Sequence, residues 1–125
     1  MHDTERLLFA DLLGDADCTA LLLDASGEHI SGSYLDSSGV EAGGRIGAAL
    51  SGMRGEVNRA IPHLEIGEWR ALVIETPDST VAISPGAGES LILVAASSQE
   101  PHGRVHRILA RCADRSAQWL SGRAR

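Results

Sequence analysis

His102 and His106 stand four residues apart in a segment with helical periodicity, so both belong to one side of a helix. Such a pair can ligate a metal. No third ligand lies near in sequence and the HExxH pattern is absent, so the spacing does not support a metal site. The stretch Ser84-Pro85-Gly86-Ala87-Gly88-Glu89-Ser90 has the glycines of a phosphate-cradling loop. It lacks the lysine that would reach the phosphates, and it leads into a strand rather than a helix. That context favours a hairpin turn. Cys18 and Cys112 would need a base and an electropositive setting to act as nucleophiles, and neither is visible around them. No GxSxG elbow occurs. Asp24 and Glu28 flank a tight turn and read as turn formers. Glu65, Glu68 and Glu75 are spread over a loop and one strand, with no partner fixed by spacing. His29 and His63 read as surface residues beside turns. The sequence therefore assigns no catalytic residue, no metal ligand and no cofactor, and it favours a protein that holds a partner over one that converts a substrate.

The elements behind these residues follow from periodicity and punctuation. Residues 4–13 carry Leu8, Phe9, Leu12 and Leu13 at helical spacing, with Thr4 as cap and Gly14 as stop. Residues 18–24 are a short apolar run, Ala25-Ser26-Gly27 a turn, and residues 28–35 the returning strand of a hairpin. Gly32 and Ser33 suit that second strand to a sheet edge. Ser38 followed by Glu41 fits a capping box. The helix it would open runs to about Ile61, with a stripe of Ile46, Leu50, Met53, Val57 and Ile61, and Pro62 ends it. Gly43, Gly44, Gly47, Gly52 and Gly55 lie inside that helix, each at a cost of about 0.5–1 kcal/mol relative to alanine. So many glycines imply that another backbone comes close, and a tightly packed second helix would supply it.

Residues 68–76 and 79–84 read as strands across Pro77-Asp78. Residues 90–96 are apolar without alternation, the pattern of a central strand buried on both faces. Helices must then cover both sides of the sheet. Pro101 opens a last helix whose inner face is Val105, Ile108, Leu109, Cys112, Ser116, Trp119 and Leu120. The order is α-β-β-α-β-β-β-α, one domain over residues 1–125.

Composition narrows the function classes. Hydrophobic residues make up 43% of the 125, enough for a core, while aromatics are only 3%. The formal charge is −6, which opposes binding to nucleic-acid phosphates. The C-terminal arginines, Arg104 to Arg125, read mainly as the solvated face and tail of a helix. No apolar run is long enough to span a bilayer, and the first residues lack the basic start of a signal peptide. A cytoplasmic location is expected. The two cysteines lack CxxC spacing and read as small core residues.

The strand at 68–76 is the element most open to a partner. Alternation puts Trp69, Ala71, Val73 and Glu75 on one face, and Arg70, Leu72, Ile74 and Thr76 on the other. At a sheet edge it would present unpaired backbone groups. Symmetric pairing with a second copy is one way to satisfy them. Cover by a helix or loop of the same chain is the other.

With these elements in place the chain, over about residues 4–120, resembles the Roadblock family, which comprises the dynein-light-chain and bacterial MglB-type domains. Three segments carry the resemblance: Ala20-Leu21-Leu22-Leu23-Asp24-Ala25-Ser26-Gly27, the small-residue helix Ala42 to Leu50, and the run from Val73 through Val81-Ala82-Ile83 to Val94 with its terminal helix. The resemblance implies a profilin-like α/β (α+β) platform. Its five-stranded antiparallel sheet would carry one helix on one face and two on the other. It implies dimers joined through the strand at 68–76 and the helix at 40–61, with Trp69, Ala71, Val73, Glu75, Gly43, Gly47, Leu50 and Arg54 at the interface. It also implies a Ras-like small GTPase as partner, bound by a non-catalytic scaffold or regulator in a bacterial signalling, polarity or motility system. The Ala, Gly and Arg content suits a high-GC bacterium. The alternative is a small-molecule sensor of profilin or PAS type, which would need an internal cavity. A hydrolase would need a nucleophile and base that the sequence lacks.

Overall fold

The computed structural model describes residues 8–123. Four helices and five strands lie among them, in the order α1 Ala10–Leu13, β1 Cys18–Leu23, β2 His29–Gly32, α2 Gly43–Leu50, α3 Met53–Leu64, β3 Leu72–Glu75, β4 Ser79–Pro85, β5 Leu91–Ser97 and α4 His102–Arg123. The start of the helix expected at 4–13, with its cap at Thr4, lies outside the described residues. The strands form one antiparallel sheet in the order β2-β1-β5-β4-β3. The evenly apolar segment is the central strand as expected: Leu91 to Ala96 are all buried.

The pleat sends alternate side chains into two cores. On one face Ala20, Leu22, Ala82, Ile92 and Val94 pack under Phe9 and under Val105, Ile108, Leu109 and Cys112 of α4. On the other, Leu21, Leu23, Ile83, Leu91 and Leu93 meet Ile46, Leu50, Met53 and Trp69. Helices therefore cover both faces. Removing a side chain such as Ile92 or Val94 from water stabilises the fold by roughly 1.5–3 kcal/mol.

The long helix differs from its expected form. It is two helices, broken at Ser51 and Gly52, where Ser51 is extended and Gly52 has φ +85°. Glycine reaches that left-handed conformation without a Cβ penalty, so it ends α2 and restarts the chain as α3. Pro62 does not end α3, which continues to Leu64 before Glu65 turns left-handed. Proline here forfeits only one backbone donor close to the helix end. The capping box does not form either. Ser38 sits in a turn closed by Asp36, and Glu41 accepts from Ser33 Oγ, Tyr34 N and Gly43 N at 2.7–3.0 Å. Burial would raise the Glu41 pKa, but these three donors outweigh it and hold the carboxyl below the usual glutamate range.

The close approach implied by the glycines is also internal. A Cβ on Gly47 would lie 1.9 Å from the Gly27 carbonyl oxygen of the first hairpin, and one on Gly43 would lie 2.5 Å from His29 Nδ1. The backbone that comes close to α2 is the chain's own. His29 is correspondingly half-buried rather than a surface residue, with Nε2 2.8 Å from the Gly32 carbonyl oxygen.

Candidate functional site

The strand expected at 68–76 is shorter, covering Leu72 to Glu75, and lies at the edge of the sheet. Its register pairs Leu72 with Ile83, Val73 with Ala82, Ile74 with Val81 and Glu75 with Thr80 of β4. All four β3 residues are exposed. Leu72, Val73 and Ile74 keep 38%, 38% and 47% of their surface, although each is a strong strand former. Leu64 at the end of α3 and Ile66 just beyond it are more exposed still. None of the residues of α3 is fully buried. An edge strand with exposed apolar side chains is a surface that monomeric proteins usually blunt or cover.

The eight residues expected at an interface divide by what they do in the chain. Val73 and Glu75 lie on the exposed edge strand. Trp69 and Ala71 precede it and do not share a face, contrary to the alternation: Trp69 packs with the α2 side of the sheet and Ala71 with the α4 side. Alternation fails there because residues 69–71 are not in the strand. Gly43 and Gly47 are buried in the contact described above. Leu50 packs on the core below α2. Arg54 is half-buried, and its Nη1 donates to the carbonyl oxygens of Gly86 and Ser90, tying α3 to the β4–β5 turn. Sequence reasoning missed Leu64 and Ile66; two apolar residues in an otherwise polar stretch were the signal for them.

The groups with chemical potential are occupied structurally. Ser84 and Pro85 end β4, and residues 86–90 form the β4–β5 hairpin connection that the context of this stretch indicated. Asp24 Oδ1 accepts from Ser26 N, Ser26 Oγ and Glu28 N, so it is a turn former. These bonds, that of the Ser26 side chain foremost, depress its pKa. Cys112 is fully buried, and loss of hydration pushes its thiol up to about 12. Cys18 is half-buried where it packs against the same core, and burial raises its pKa as well. Neither is an activated thiolate. His102 Nε2 lies 2.7 Å from Glu75 Oε1, joining the start of α4 to the end of β3. Among the described residues no cluster of three or more His, Cys, Asp or Glu could hold a metal, and no helix is long and apolar enough to cross a membrane.

No family profile and no curated protein matches the sequence. Solved structures do match the fold. MglB of Myxococcus xanthus aligns with a TM-score of 0.78 at 12% identity, over 97% of this chain and 90% of that one. A Roadblock/LC7 domain from Streptomyces avermitilis gives 0.76 at 20% identity, over 93% and 97%. An MglB described with a tetrameric arrangement gives 0.77 at 12% identity, over 94% and 88%. The chain has the roadblock fold expected from its order of elements.

Proposed function

We propose that the chain is a non-catalytic, dimeric platform that binds and regulates a Ras-like small GTPase. The observation that carries this reading is the open edge of the sheet: β3 exposes Leu72, Val73 and Ile74 beside α3, in a fold shared with MglB. Two copies would pair their β3 strands antiparallel about a two-fold axis and set their α3 helices side by side. The GTPase would dock on the surface that this pairing creates. Regulation would come from differential contact with the partner's switch regions, which shifts their population. One of the MglB structures is described as tetrameric, which supports self-association in this fold. A cytoplasmic location belongs to this reading, and two free thiols suit a reducing compartment.

The test uses the purified chain as bait in native lysate, once with GDP and once with a non-hydrolysable GTP analogue, read by mass spectrometry. The expected result is a small GTPase recovered in one nucleotide state in excess over the other. Its purified form should then show an altered hydrolysis or exchange rate when the chain is added. Equal or absent recovery in both states defeats the reading.

A further inference from the structure

Beside α3 runs a groove of about 570 Å³, within the size range of small-molecule sites. Ile61 and Pro62 of α3, Trp69 and Pro85 make most of its lining apolar. Arg54 and Asn58, one helical turn apart, supply polar groups on the α3 side. Trp69 Nε1 donates to Asn58 Oδ1 at 2.7 Å, which fixes the indole across the groove.

Arg54 is the incomplete member. Nη1 is engaged by the turn carbonyls, but the Nε–H is buried without an acceptor. Among the described residues no carboxylate lies within ion-pairing distance of this guanidinium. A half-buried cation without a carboxylate partner, whose Nε–H also lacks an acceptor, is costly. A carboxylate supplies both, in the forked geometry that guanidinium favours. Nε itself has no exposed surface, so a ligand reaches it only if the half-buried side chain rotates. Glu68 lines the same groove, and the chain carries a net charge of −6. Both disfavour a ligand with a second negative charge.

We infer that this groove binds a small monocarboxylate with an apolar or aromatic body, its carboxylate on Arg54 and its body against Trp69. The site does not depend on a GTPase, but it needs Arg54 and Trp69 open and so shares the α3 surface with the proposed pairing of copies.

The experiment titrates 3-phenylpropionate, and separately its uncharged amide, into the full-length isotope-labelled chain followed by NMR. The Trp69 indole N–H is assigned by its loss in Trp69→Phe. The acid should give saturable shifts at Trp69 and along α3, and bind at least about tenfold more tightly than the amide. Arg54→Lys keeps a charge but not the fork, and should weaken the acid about tenfold. Because Arg54 also anchors the β4–β5 turn, Ile61→Glu serves as a second variant. It leaves that anchor intact and should abolish acid binding by repulsion while the fold persists. Equal binding of acid and amide, no saturable shift, or shifts confined to the arginines of α4 would overturn the inference. So would groove signals that move on protein dilution but not with ligand, since a second copy would then fill the site.

Discussion

At the scale of single residues, two glycines of α2 make opposite predictions. Gly47 packs against the Gly27 carbonyl, and a Cβ would sit 1.9 Å from that oxygen. Backbone cannot yield as a flexible side chain can, so Gly47→Ala should destabilise by about 1–3 kcal/mol. Gly44 is exposed and a Cβ there meets nothing within 4 Å. Gly44→Ala should therefore stabilise by about 0.5–1 kcal/mol through helix propensity. Chemical denaturation of both variants decides this; similar losses would mean that the helix tolerates neither. The cysteines separate in the same way. Cys112 has no exposed surface and a thiol pushed up to about 12, whereas Cys18 is half-buried. A thiol reagent should label one cysteine slowly in the native protein and the second only on unfolding. Prompt labelling of both would refute the burial of Cys112.

At the scale of elements, the corner between β2 and α2 hangs on a carboxylate. Glu41 accepts from a hydroxyl and two backbone N–H groups, and these hold its pKa below the usual range despite burial. A depressed carboxyl pKa contributes stability that is fully present above the unfolded-state value. That contribution is lost as pH falls, starting near the ordinary glutamate value of about 4.3 and continuing down through the folded value. Stability measured against pH should fall in this acid window, and Glu41→Gln should flatten the fall. It should not remove it, since Asp24 and Asp36 are depressed by turn bonds of the same kind. An unchanged slope in the variant would mean that the corner does not depend on the ionised form. The same corner shows where sequence reading stops. The Ser38 and Glu41 spacing matches a capping box, but only the backbone path shows that Glu41 turns back to Ser33 and Tyr34. The stripe from Ile46 to Ile61 likewise reads as one helix, because the break at Gly52 leaves Ile46, Leu50 and Met53 on the same core. By contrast, residues 90–96 have one consistent interpretation, since a run apolar on both faces fits only the middle of a covered sheet. The internal use of Gly43 and Gly47 could not be read, because spacing shows that something comes close and not what it is.

At the scale of the whole molecule, the sheet is closed at its centre and asymmetric at its edges. The β2 edge is buried or half-buried along its length, and Ser33 and Tyr34 just beyond it are held by Glu41. The β3 edge has Leu72, Val73 and Ile74 exposed, with Leu72 and Ile74 on the α2 side of the sheet by their pairing with Ile83 and Val81. A second copy paired along β3 would lay its α3 over those two side chains and bury them. Two substitutions then probe different parts of one interface. Val73→Pro removes a backbone donor from the edge and introduces a ring that strand pairing does not accommodate. Ile74→Lys leaves the backbone intact but places a charge where the partner helix would bury it. Light scattering should give a dimer for the unaltered chain and a monomer for each variant, with circular dichroism unchanged for Ile74→Lys because that side chain is nearly half-exposed already. A dimer that survives both substitutions would show that the copies meet elsewhere. An unaltered chain that is monomeric at all concentrations would leave β3 as a surface for a different protein, and the GTPase would then have to bind a single copy.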